Sequence, residues 1–165
     1  MSRKLIFTVV LVLALLSVAT LAFAANQSQL APVRLATMQF RTTQAAQAAG
    51  YDLIPTLDHC FDNPGVGAMG YHYIDASSLD LELDATRPEA MVYAPQTNGD
   101  VKLAAVEYIV PAGPWDDAGN TMPPTVLGQH RHLNESLGVY VLHAWLWLGN
   151  PNGVFADWNP NVSCP

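Results

Sequence analysis

The sequence predicts an α+β fold, a single compact domain in which one N-terminal helix packs on a mostly antiparallel β-sheet. Three observations carry that expectation. A run of good helix formers stands between Pro32 and Gly50. Short β-branched and aromatic segments, separated by glycine, proline and asparagine turns, fill most of the rest. Two cysteines, Cys60 and Cys164, are placed so that a bond between them would tie the C-terminal tail back to the start of the strand-rich region.

Ahead of the helix stands a leader. Arg3 and Lys4 precede an apolar run from Leu5 to Leu21, and Ala22-Phe23-Ala24 follows with small residues where a signal peptidase reads. That order is a secretory signal over residues 1–24, leaving a domain over residues 25–165. The apolar run is also about the roughly 20 residues that cross a bilayer, so an uncleaved anchor is the competing reading. The Ala-x-Ala ending and the abrupt change to Asn26-Gln27-Ser28-Gln29 favour cleavage. Either way the domain is expected to be exported, periplasmic or extracellular, and not embedded in the membrane.

Residues 25–31 read as a flexible lead-in. Pro32 then suits a first helical turn, and Gly50 supplies a C-terminal stop. Leu35, Met38, Thr42, Ala45 and Ala49 fall on one stripe at helical spacing, so one helix from Pro32 to Ala49 is expected. Pro55, Pro64, Gly65, Gly67 and Gly70 then exclude helix, and Tyr71 to Asp75 reads as the first strand. A hairpin pairs Ala90–Ala94 with Val101–Val110 across Asn98-Gly99, the strongest short turn signal. With a two-residue turn, Ala90 faces Glu107, Val92 faces Ala105, and Ala94 faces Leu103. After a polar connection from Pro111 to Pro124, Gly138 to Leu148 reads as a central strand, apolar on both faces. In the tail, Val154, Phe155 and Trp158 can pin the chain to the core.

Composition narrows the function. Half of the residues are hydrophobic, and 14 acids outnumber 7 bases, giving a net charge of −7. Losing Arg3 and Lys4 with the leader makes the domain more acidic still. Nucleic-acid binding needs clustered Lys and Arg, so that class is excluded, as is adhesion to anionic lipid. Export to an oxidising compartment favours a Cys60–Cys164 disulfide. Closing so long a loop is worth about 4–5 kcal/mol on the chain-entropy account.

Motifs of high specificity are absent. There is no Gly-x-Ser-x-Gly elbow, no His-Glu-x-x-His and no Cys-x-x-Cys, so the sequence leaves enzyme or carrier open. Gly65-Val66-Gly67-Ala68-Met69-Gly70 matches the dinucleotide fingerprint literally, but a strand-like Tyr-His-Tyr follows where a helix should begin. It reads as a glycine-rich loop, and no nucleotide cofactor is expected. Asp80, Glu82 and Asp84 alternate, which would put them on one solvated strand face. His130-Arg131-His132 falls in a loop region read as exposed.

The histidines carry the sharper signal. His72 shares a strand face with Ile74, Glu107 with Leu103, Ala105 and Ile109, and His143 with Val139, Val141, Trp145 and Trp147. A charged carboxylate on an apolar face is costly unless a cation or several donors meet it. Two imidazoles and one carboxylate suit a divalent transition metal with open positions. His72, Glu107 and His143 are therefore the candidate metal ligands, with Tyr73 and Tyr108 as candidates to orient them by hydrogen bonds. The competing reading is a structural polar cluster in a non-enzymatic module, where tryptophans such as Trp145 and Trp147 line an apolar pocket or a partner surface.

Several blocks also carry a resemblance: Met69-Gly70-Tyr71-His72-Tyr73, Val106-Glu107-Tyr108, His143-Ala144-Trp145-Leu146-Trp147 and the ending Asn150 to Pro160. Together they resemble a family of exported bacterial proteins with no assigned activity. The resemblance covers most of the mature chain and implies a bacterial, exported setting. It implies no reaction, cofactor or site.

Overall fold

The computed structural model of the chain describes residues 28–165. The leader over residues 1–24 lies outside the described residues. The expected architecture is present: helix against a mostly antiparallel sheet, with a disulfide reaching the C-terminal end.

The helical region is broken where a single helix was expected. Helix α1 already runs at residue 28 and extends to residue 37. A 3-10 turn follows over Met38–Phe40, and α2 covers Thr43–Ala48. Thr42 causes the restart: its backbone is extended, and its hydroxyl accepts from Ala45 N at 3.2 Å as an N-cap. The Tyr93 hydroxyl donates to the Phe40 carbonyl at 2.7 Å, where the break interrupts the helix, and lies 3.2 Å from the Thr42 carbonyl, which also accepts from Ala46 N. Because the axis changes, one stripe cannot run through both pieces. Leu30, Val33 and Thr37 are the buried positions of α1, whereas Leu35 and Met38 are 71% and 54% exposed.

The sheet holds seven strands in the order β1-β3-β4-β5-β9-β8, with β2 beside β1 on the edge of β3. Their ranges are β1 Asp52–Leu53, β2 Phe61–Asn63, β3 Gly67–Ile74, β4 Ala90–Pro95, β5 Val101–Pro111, β8 His132–Asn134 and β9 Val139–Ala144. All pairings are antiparallel. A short helix α3, Ala112–Asp117, and a small ribbon of β6 (Thr125–Val126) with β7 (Gln129–His130) occupy the connection before β8. Strand β9 stops at Ala144, and Trp145 turns out of the sheet to donate to Val154 O in the tail.

The β4–β5 hairpin combines two irregularities that cancel. Its loop is one residue longer than expected: Gln96 N donates to Asp100 O, Gly99 N to Gln96 O, and Gly99 alone takes positive φ. This is the three-residue turn with a left-handed glycine. Its register pairs Ala94 with Lys102 and Tyr93 with Leu103, against the expected Ala94–Leu103 pair. A bulge at Ala104 then inserts one residue, so Val92 meets Ala105 and Ala90 meets Glu107 as expected. Without the bulge, Glu107 would point to the other face.

Each face of the sheet has its own core. On one side Met91, Tyr93, Val106, Tyr108, Leu142 and Ala144 pack with Leu30 and Val33 of α1. On the other, Ile74, Ala90, Ile109 and Val141 form one cluster, and Val92, Ala105, Trp145 and Val162 another. His72, Glu107 and His143 alternate into this second face, between its two clusters.

The tail closes that second face. Asn159 is buried and exchanges two backbone hydrogen bonds with Ala68 on β3. A Cβ on Gly67 would strike the Asn159 carbonyl, so this glycine is what lets the tail approach. Cys60 and Cys164 are bonded, with their Cα atoms 5.7 Å apart. The glycine-rich segment is thus not all loop: Gly65 lies in a turn, whereas Gly67 and Gly70 belong to β3, and Gly70 lets the Tyr93 carbonyl of β4 approach.

Two expectations of local structure change. Asp80, Glu82 and Asp84 do not lie on a strand; Asp80 Oδ1 accepts from Glu82 N and Asp84 Oδ1 from Thr86 N, turns that compete with strand pairing. His130 and His132 are exposed, but Arg131 between them is 1% exposed, its guanidinium beside the Tyr108 ring.

Candidate metal centre

The three predicted ligands meet. His72 comes from β3, Glu107 from β5 and His143 from β9, and all three side chains are buried. Glu107 and His143 face each other directly across the β5–β9 pair. His72 is opposite Val92 on β4, which in turn faces Ala105 on β5. Strands β3 and β9 are three pairing steps apart, about 14 Å in a flat sheet. Between those strands, the pairs Val92–Ala105 and Ala90–Glu107 put two small alanines on this face.

One ligand atom from each residue lies within 4.8 Å of the other two. His72 Nε2 and His143 Nε2 are 3.1 Å apart, and Glu107 Oε2 is 3.5 Å from His72 Nε2. Ligands about 2.0–2.2 Å from one ion, spread at near-tetrahedral angles, stand roughly 3.3–3.5 Å from each other. Two of the three spacings are close to that; Glu107 Oε1 also lies 3.6 Å from His143 Nδ1, and rotation of the Glu107 carboxylate, a soft torsion, would bring its oxygen toward the Nε2 side. The cluster could hold a metal ion.

Electrostatics divides the two imidazoles. Burial pushes the His72 imidazole down to about 4, against the pull of the Glu107 charge. Burial also acts against a charge on His143, but Glu107 and Asp157 outweigh it and its pKa is raised. That asymmetry assigns the proton between the Nε2 atoms to His143 rather than to His72. His72 Nδ1 and His143 Nδ1 are buried without a hydrogen-bond partner among the described residues. Phe61 packs against His72, the rings edge to face at 5.1 Å.

A residue that sequence patterning did not single out stands next to the cluster. Asp157 Oδ1 is 3.8 Å from His143 Nδ1, and Asp157 Oδ2 is 3.4 Å from His132 Nε2. Burial raises the Asp157 carboxyl, yet His143 and His132 overcome that and hold it below its usual range. Asp157 sits in an irregular tail, so no periodicity marks it. The strand alternation that sends His72 inward sends Tyr73 to the helix-covered face, and Tyr108 likewise. Tyr108 donates its hydroxyl to Ala85 O at 2.7 Å, and Tyr73 packs edge to face on Tyr93. Neither tyrosine orients the imidazoles.

A cavity of about 270 Å³ opens in front of the cluster. Its walls are mostly apolar, with Leu57, Ile74, Leu79, Ile109, Val141 and Trp158 among them. His72, Glu107 and His143 line it too, with His132 and Asn134 as its other polar residues. Of the tryptophans, Trp158 reaches the cavity, while Trp145 is buried in the core beside His143.

Comparison with known proteins gives no relative: no family model, no curated protein and no solved structure matches the chain. Among the described residues, no helix is long and apolar enough to cross a membrane.

Proposed function

We propose that this is an exported protein that binds one divalent transition metal through His72, Glu107 and His143. The convergence of the three donor atoms in a buried setting carries the reading. A buried carboxylate next to a buried imidazole pair costs solvation energy, which a cation offsets more fully than one shared proton does. Three protein ligands leave further coordination positions, and the cavity lies in front of them. Asp157 Oδ1, 3.8 Å from His143 Nδ1, would move in to accept from Nδ1–H and hold His143 in the ligating orientation, as carboxylates do behind metal-bound imidazoles. The leader, the Cys60–Cys164 bond and the resemblance to exported bacterial proteins support export.

Metal content tests this. The protein exported with its leader and purified without chelator should carry close to one ion per chain. His72→Ala and His143→Ala should each reduce that to background while the fold, read by circular dichroism, remains. Equal metal content in wild type and both variants would refute the assignment.

The cavity favours a second reading, an apolar-ligand module in which the cluster is structural. There, metal content is at background in every form and apolar ligands bind regardless of added metal.

A further inference from the structure

We infer that the cavity accepts a small amphiphile: an apolar body with a single anionic head that approaches the His72–Glu107–His143 end. The inference rests on the metal reading above and adds the class of ligand.

Size comes first. A cavity of roughly 150 Å³ lined by aliphatic and aromatic side chains accepts benzene. The present one, about 270 Å³, is somewhat under twice that. An occupant of about ten non-hydrogen atoms follows from that scaling. Two lining residues, Leu137 and His132, are about half exposed at 49%, so the cavity reaches solvent there.

Chemistry decides the orientation. The walls offer an apolar surface, and each methylene moved there from water is worth about a fourfold gain in affinity. No Lys or Arg lines the cavity. In the metal-free protein the Glu107 carboxylate offsets any charge on His143, so that end offers an anion no net positive charge. A divalent ion on two neutral imidazoles and one carboxylate carries one net positive charge with its ligands and has open positions; Asp157 lies near His143 but does not line the cavity. The head group is thus selected by the metal and the body by the walls. Neutral apolar molecules would use the walls alone.

The test is calorimetric. Zinc is titrated first, then octanoate, acetate and octanol into zinc-loaded and metal-free protein. Octanoate should bind zinc-loaded protein at least tenfold more tightly than metal-free protein, and at least tenfold more tightly than acetate. Octanol should show little dependence on zinc. In Leu79→Trp, which narrows the cavity from its wall, the octanoate-to-acetate affinity ratio should fall at least tenfold. Zinc binding with no preference for octanoate over acetate overturns the ligand class and leaves the metal centre standing. Octanoate binding of equal strength with and without zinc overturns the role of the metal in head-group capture. An unchanged affinity ratio in Leu79→Trp overturns the placement in this cavity. Failure of zinc itself to bind overturns the metal reading beneath the inference.

Discussion

His72 and His143 bring their Nε2 atoms to 3.1 Å although their strands, β3 and β9, are three pairing steps apart in the sheet. The imidazoles are pushed in opposite directions: burial lowers the pKa of His72, while the Glu107 and Asp157 charges raise that of His143. A proton and a metal ion therefore compete for the same pair of lone pairs.

That competition fixes a pH dependence. His143 has a raised pKa, so the proton occupies the pair up to a pH above 6.5, its usual value. Metal affinity should rise about tenfold per pH unit through the acidic range and level off above that raised pKa. One proton should be released per ion bound. Titrations in buffers of differing ionisation enthalpy measure the released proton directly; none released would contradict the assigned proton.

Glu107→Gln removes the anionic ligand but keeps the volume. Metal affinity should fall by at least about a hundredfold, more than loss of an outer partner costs. Without the Glu107 charge, the pKa of His143 should fall. NMR titration of the imidazole in the metal-free protein reads that shift.

Asp157→Asn keeps the hydrogen-bonding reach of the side chain and removes its charge. Affinity should drop about ten- to a hundredfold, with little change in stability because Asp157 is a third exposed. An unchanged metal affinity would show that Asp157 does not orient His143.

Glu89 gives a prediction away from the site. It is buried, accepts from Ile109 N at 2.8 Å, and burial pushes its carboxyl up to about 7, with Arg131 acting the other way. A raised folded-state value means the folded form holds the proton more tightly than the unfolded chain does. The resulting stability is fully present below about 4.5 and is lost as pH rises through about 7. Glu89→Gln, which still accepts from Ile109, should gain on wild type by on the order of 1–3 kcal/mol between pH 5 and pH 8. Urea unfolding at the two pH values checks it.

Cys164→Ser should cost about 4–5 kcal/mol at most. It should also free the tail from Gly67 and Ala68, exposing Asn159 to proteolysis. Limited digestion with and without reductant provides the comparison.

The faces of the strands were readable from the sequence because period two governs them. Alternation placed His72 with Ile74, and His143 with Val141 and Trp145, on the side where they are found. The same rule, applied to Tyr73 and Tyr108, sends them to the opposite face; they neighbour the ligands along the chain but not in space. Glu107 reached the right face because the longer turn at Gly99 and the bulge at Ala104 offset one another, and neither leaves a strong mark in the residues. The helix break at Thr42 depends on a cap competing with helix propensity and on the distant Tyr93 hydroxyl. Asp157 was hidden because an irregular tail carries no period, and only the tertiary closure at Asn159 brings it to His143.

Anomalous X-ray diffraction from zinc-soaked crystals, measured at the zinc edge, tests the metal centre most directly. A single strong peak about 2.0–2.2 Å from one nitrogen of each imidazole and from a Glu107 oxygen is expected. A peak elsewhere, or none between His72 and His143 under saturating zinc, would contradict it.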